Sequence, residues 1–261
     1  MRIDISIVDA YVSGKPSGEY SGHWIYGRVE HGKNLFQETG VHRRAEIELC
    51  LRQTLDACRD FNFRNEELIC GIFGDTSSVK DSANVLFVVG VPAMYDAMVR
   101  EMDGALYIIF NIESFADYVA IGHCLKEIIS NFLTHELIHV MIDAKYPSGN
   151  QSYTEQLDYI SFNEGFAHLL SYKENIESFK PNGEYKQRYE TARHKLAAAL
   201  DETDPKLQQE LLARANSGRF WDKFGAIASM LYLMKHMDFL KDIFEQGWRG
   251  YAGKVANYKW K

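Results

Sequence analysis

The run Thr134-His135-Glu136-Leu137-Ile138-His139-Val140 holds the residue types of a hydrolytic metal site at the spacing such a site needs. On a helix of about 3.6 residues per turn, side chains four positions apart leave the axis about 40° from one another. The imidazoles of His135 and His139 then share a face and can bind one metal ion. Glu136 is set off from that pair. Its carboxylate is too displaced to coordinate beside them, yet close enough to take a proton from a water held by the ion. This is the layout of a zinc hydrolase, with His135 and His139 as ligands and Glu136 as general base.

The flanks support a helix. Glu127 to Leu133 precede the run and Met141 to Ala144 follow it without Pro or Gly, and apolar residues recur at three- and four-residue steps. Read as an ordinary amphipathic core helix, the segment buries two His side chains and leaves Glu136 inward-facing without a counter-charge, which is costly. A metal ion removes that cost.

A catalytic zinc ion takes three protein ligands and keeps a fourth position open, so a third ligand is expected downstream. Phe162-Asn163-Glu164-Gly165-Phe166-Ala167-His168 is the candidate segment. With it, the chain resembles the gluzincin metallopeptidases, the clan of thermolysin and aminopeptidase N, in which a second helix follows the H-E-x-x-H helix and carries an N-E-G-F-A-like or N-E-x-x-x-D-like stretch. The resemblance spans roughly residues 105–175 and implies that Glu164 is the third zinc ligand. Twenty-four residues separate His139 from Glu164, and Lys145 to Gln151 have the composition of a connecting loop. Two antiparallel helices joined there would return Glu164 to the His pair.

Residues one turn along each helix are candidates to orient the ligands. Asp143 lies four residues after His139, and His168 four after Glu164. Thermolysin-like sequences carry an Asp at the position of His168, so His168 is open to a hydrogen-bonding role, to direct ligation, or to plain packing. Peptide hydrolysis also needs a group to stabilise the oxyanion. Tyr153, Tyr159, His194 and His236 are available, and their spacing selects none. Arg219 to Ala226 resembles the helix start that carries the catalytic Tyr in aminopeptidase N-like members, with Phe220 and Trp221 in its place. No G-x-M-E-N-like segment is present, which by the same resemblance favours endopeptidase over aminopeptidase action.

These residues need a frame to position them. The chain has 261 residues, 46% hydrophobic and 25% charged, enough for one large domain or two lobes. Arg2 to Ala10, His23 to Glu30, Leu68 to Phe73, Val85 to Val89 and Ala105 to Phe110 read as strands. The last of them is expected to be the edge strand that pairs with substrate in gluzincins, with Asn111 at its end offering substrate a hydrogen bond or serving as a turn residue. Arg43 to Phe61 reads as an amphipathic helix. Beyond Asp143 the chain is almost wholly helical, with capping boxes at Ser152/Glu155 and Ser161/Glu164, an N-cap and N1 proline at Asp204-Pro205, and a further helix over Phe220 to Met237. The expected class is α+β: an N-terminal mixed β-sheet lobe with helices over residues 1–144, a mostly helical C-terminal lobe over 145–261, and a zincin-like active-site cleft between them in a single catalytic unit.

Charge narrows the partners. Residues 1–144 hold 12 basic and 21 acidic side chains and the remainder 17 and 15, for a net −7. An acidic protein is a poor nucleic-acid binder. No run has membrane-spanning length, and Arg2 to Ile7 alternate like a strand instead of forming a signal-peptide core. The four cysteines, 50, 58, 70 and 124, lack C-x-x-C spacing and read as small buried hydrophobes. A cytoplasmic zinc metallopeptidase acting on peptide or protein substrates, with one Zn²⁺ and neither nucleic acid nor membrane as partner, is the expectation. The alternatives are a zinc-binding scaffold without turnover and a hydrolase of a non-peptide amide.

Overall fold

A computed structural model describes residues 1–30, 32–149 and 151–260 of the chain. In chain order its elements are β1 (Arg2–Asp4), α1 (Ser6–Val12), α2 (Arg44–Arg59), α3 (Glu66–Phe73), α4 (Ser77–Ser82), β2 (Asn84–Val88), β3 (Ala97–Met102), β4 (Ala105–Asn111) and α5 (Ile112–Ala120). There follow α6 (Leu125–Lys145), α7 (Tyr153–Tyr172), α8 (Gly183–Leu200), α9 (Pro205–Asn216), α10 (Phe224–Met234), α11 (Leu240–Gln246) and α12 (Tyr251–Asn257). The class is α+β, with helix dominant over a small mixed sheet.

The sheet has the order β1-β2-β4-β3; β1, β2 and β4 run parallel, and β3 is antiparallel to β4. Val85, Leu86, Phe87 and Val88 are all buried, as in a strand covered on both faces, which is why β2 reads as a continuous apolar run. β4 lies inside the sheet, not at its edge. The cause is the Asp103-Gly104 turn, whose two residues have φ of 52° and 76° and fold β3 back along the outer side of β4. That correction removes β4 as a strand on which substrate can pair.

Three expected strands differ. Only Arg2–Asp4 of the first is extended, because the Asp4 carboxylate accepts the Ser6 N–H at 2.8 Å and turns the chain into α1. His23 to Glu30 is mostly a single helical turn over Trp24–Gly27. Leu68 to Phe73 belongs to α3, whose first turn carries Glu66 and Glu67 against the helix dipole and whose end is a glycine, Gly74, at φ 88°.

The chain forms two compact units, Met1–Phe63 with Ser77–Leu137, and Arg64–Thr76 with Ile138–Lys261. The division lies inside α6, and α3 belongs to the second unit. The first unit contains the whole sheet. In the second, α7 is buried along nearly its full length, as expected of a central helix. Its start is set by Ser152 and Glu155, which form a complete capping box, so Ser161 and Glu164 both lie in the helix interior. Asp158, also on α7, accepts the N–H groups of Gly250 and Ala252 at 2.8 Å each and ties down the start of α12. Cys50 and Cys58 are buried as expected, whereas Cys70 and Cys124 are exposed. Asn150 of the expected loop lies outside the described residues.

Candidate metal centre

The 21 residues of α6 contain no Pro or Gly, and Ile129, Leu133 and Leu137 are fully buried along it. This apolar row fixes the helix and leaves His135 and His139, one turn apart, only partly buried. Between them Glu136 is 6% exposed. Its charge acts on the half-buried Arg100 guanidinium of β3: burial pushes the Arg100 pKa down, and Glu136 opposes that shift.

On α7, Asn163 and Glu164 face the second histidine. The Asn163 amide nitrogen donates to the Asp143 carboxylate at 3.1 Å, which sets the amide so that its oxygen faces His139 Nδ1 at 2.6 Å. His139 therefore donates from Nδ1, and its Nε2 faces Glu164 Oε1, 3.8 Å away. Asp143 also accepts the Tyr159 hydroxyl. Pairing of 143 with 159 and of 139 with 163 runs in opposite directions along α6 and α7, so these helices are antiparallel, as their spacing predicts. Asp143 acts on His139 through Asn163 and not by direct contact.

Glu164 Oε2 lies 3.6 Å from His168 Nε2, and Oε1 accepts from the Asn216 amide at 3.3 Å. Burial pushes the Glu164 carboxyl up, but the imidazoles of His139 and His168, the Lys223 ammonium and the Asn216 hydrogen bond together hold it below the usual carboxylate range. Burial likewise pushes His168 down to about 4, against the attraction of Glu164. Its ring packs edge-on to Phe220 at 5.2 Å between centroids. His135, Glu164 and His168 each offer a ligand atom within 4.8 Å of the others.

The donor atoms that lie together are those of His135, Glu164 and His168; His139 stands outside that group and meets its Glu164 at 3.8 Å, with Asp143 one residue removed from it through Asn163. Asn111 is a correction. It is 1% exposed, and its amide accepts the N–H of Glu113 at 3.2 Å and donates to the carbonyl of Val91 at 3.1 Å, so it is buried as the cap of α5, the turn role, and not presented to a substrate. Among the oxyanion candidates, the Tyr153 hydroxyl binds the Ala199 carbonyl at 2.8 Å, and His236 Nδ1 lies 2.7 Å from the Tyr232 carbonyl. Asn163, Asn216 and Lys223 escape a reading by motif. For Asn163 a signal exists, since Asn is a poor interior helix residue and stands directly before Glu164; Asn216 and Lys223 arrive by tertiary folding and carry none.

No family model matches the chain, and no curated protein or solved structure matches it significantly. The donor chemistry is what fits zinc: imidazole nitrogens and one carboxylate, with separations of 3.6 and 3.8 Å that bonds of about 2.0–2.1 Å can span. His139 is already oriented by a hydrogen bond on its far nitrogen, as metal-binding histidines are. Among the described residues no helix is long and apolar enough to cross a membrane.

Proposed function

We propose that this chain is a gluzincin-like zinc metallopeptidase with the zincin-like architecture of that clan, acting on peptide or protein substrates with preference for internal bonds. The supporting observation is the meeting of Glu164 with the histidines of the H-E-x-x-H helix, His139 Nε2 at 3.8 Å and His135 within 4.8 Å, while Asn163 fixes the His139 tautomer. His135, His139 and Glu164 would hold one zinc ion. Zinc supplies a Lewis acid that makes water acidic enough to attack near neutral pH.

Glu136 takes the proton of the attacking water on its carboxylate and passes it to the leaving amine. It is buried, so that exchange runs with little competition from bulk solvent. Asp143, through Asn163, keeps Nε2 of His139 available to the ion. A cytoplasmic setting belongs to the same proposal, in keeping with four unpaired cysteines.

One observation favours a second reading, a zinc-binding scaffold without turnover. Phe220 packs on His168 in the segment where the resemblance puts a catalytic Tyr, and it has no hydroxyl to offer an oxyanion. Digestion of a broad peptide library by the zinc-loaded protein, read by mass spectrometry, separates the two. Internal cleavages that stop on chelation are expected of the peptidase. Stoichiometric zinc with no cleavage would decide for the scaffold.

A further inference from the structure

The three-ligand scheme leaves His168 without a task, although its Nε2 stands 3.6 Å from Glu164, nearer than His139 Nε2 at 3.8 Å. Two atoms bound to one tetrahedral zinc ion at about 2.0–2.1 Å are about 3.4 Å apart. Glu164 therefore presents one oxygen to each of two imidazoles, Oε1 to His139 and Oε2 to His168, at close to the spacing of atoms that share an ion.

An imidazole that only orients a neighbouring ligand behaves differently. It hydrogen-bonds that ligand at about 2.7–3.2 Å, and a side-chain contact of about 3.6 Å is not a hydrogen bond. The orienting geometry is seen in this same centre at Asn163, 2.6 Å from His139 Nδ1. The distance from His168 to Glu164 is too long for that role and short enough for joint ligation. His168 is also prepared for it. It leaves α7 one turn after Glu164, on the same face. Its side chain is 9% exposed and held by the Phe220 ring, so binding an ion costs little further ordering.

We propose that His168 binds the metal directly, as a third imidazole beside His135 and His139, with Glu164 as the carboxylate donor. The inference rests on the zinc reading above and extends it. Four protein donors leave water only an added fifth position, an expansion that zinc sites make during catalysis. Metal is then retained more firmly than by three ligands.

X-ray absorption on the zinc-loaded full chain counts the imidazoles directly. Three in the wild type, falling to two in His168→Asn with zinc affinity reduced at least 10-fold, is the expected result. Two imidazoles in the wild type, unchanged in His168→Asn, overturns the His168 assignment and leaves the zinc reading intact, provided that His139→Ala loses the metal. A wild type that takes up no zinc overturns both.

Discussion

Glu136→Gln is expected to lower peptide hydrolysis by a factor on the order of 10²–10⁴ while zinc content stays that of the wild type. Gln keeps the shape of Glu and cannot accept the proton. The reason to expect a clean separation lies in the placement of the side chain. Glu136 projects from α6 between the two histidine positions, and Gln preserves the packing of a residue that is 6% exposed. The folding cost is contained as well. Arg100, which senses the Glu136 charge, donates to the carbonyls of Arg28 and Val29 at 2.7 and 2.8 Å and keeps these partners in the variant. Turnover of a cleaved library peptide, metal content and thermal midpoint, measured on the same sample, check the three statements together. A variant that retains wild-type turnover would remove Glu136 from the role of general base.

Gly165→Ala is expected to destabilise the protein by about 2–3 kcal/mol, lowering the thermal midpoint by about 4–12 °C. Alanine gains about 1 kcal/mol of helix propensity over glycine, so the sign depends on space. A Cβ at Gly165 would lie 1.9 Å from Ser229 Oγ and 2.5 Å from Ser229 Cβ on α10. Ser229 is short, buried and bound through its hydroxyl to Tyr251 at 2.8 Å, so it cannot swing aside, and α7 must move from α10. Overpacking therefore outweighs propensity. Adding Ser229→Gly removes both clashing atoms, and the double variant is expected to be less destabilised than the sum of the single ones. Equilibrium denaturation of the four proteins measures that coupling; strictly additive losses would show that the two positions do not collide. Since Glu164 precedes Gly165, the displacement in the single variant is expected to weaken the proposed zinc site as well.

The histidine pair shows what is legible in the sequence. The H-E-x-x-H spacing is a property of one helix, so the shared face of His135 and His139 follows from local geometry alone. Glu164 became visible through the resemblance, and the capping residues Ser152, Asp204 and Pro205 predicted helix starts that the fold has. Errors arose where short apolar runs are ambiguous between strand and helix. Leu68 to Phe73 is β-rich in composition but follows Asn65 in a left-handed conformation and two acidic residues that suit a first helical turn. β3, with Arg100 and Glu101 inside it, has too little alternation to be seen, although the Asp103-Gly104 pair announced a hairpin. Without β3, β4 reads as an edge strand and Asn111 as a strand-end residue open to a substrate or to a turn.

The remainder of the centre is tertiary. Asn216 at the end of α9 and Lys223 just before α10 approach Glu164 from more than fifty residues along the chain, and no local pattern predicts that return. Ser161 with Glu164 matched a capping box in sequence, yet α7 had already begun at Tyr153, so the better-placed signal at Ser152 took precedence.

Metal content of the wild type, His139→Ala and Glu164→Ala, purified without added metal and measured by mass spectrometry, tests the metal centre most directly. The wild type is expected to carry close to one zinc per chain and both variants to lose it. A wild type that stays metal-free even after loading with zinc would contradict the centre, and His135, His139 and Glu164 would then be packing residues of α6 and α7.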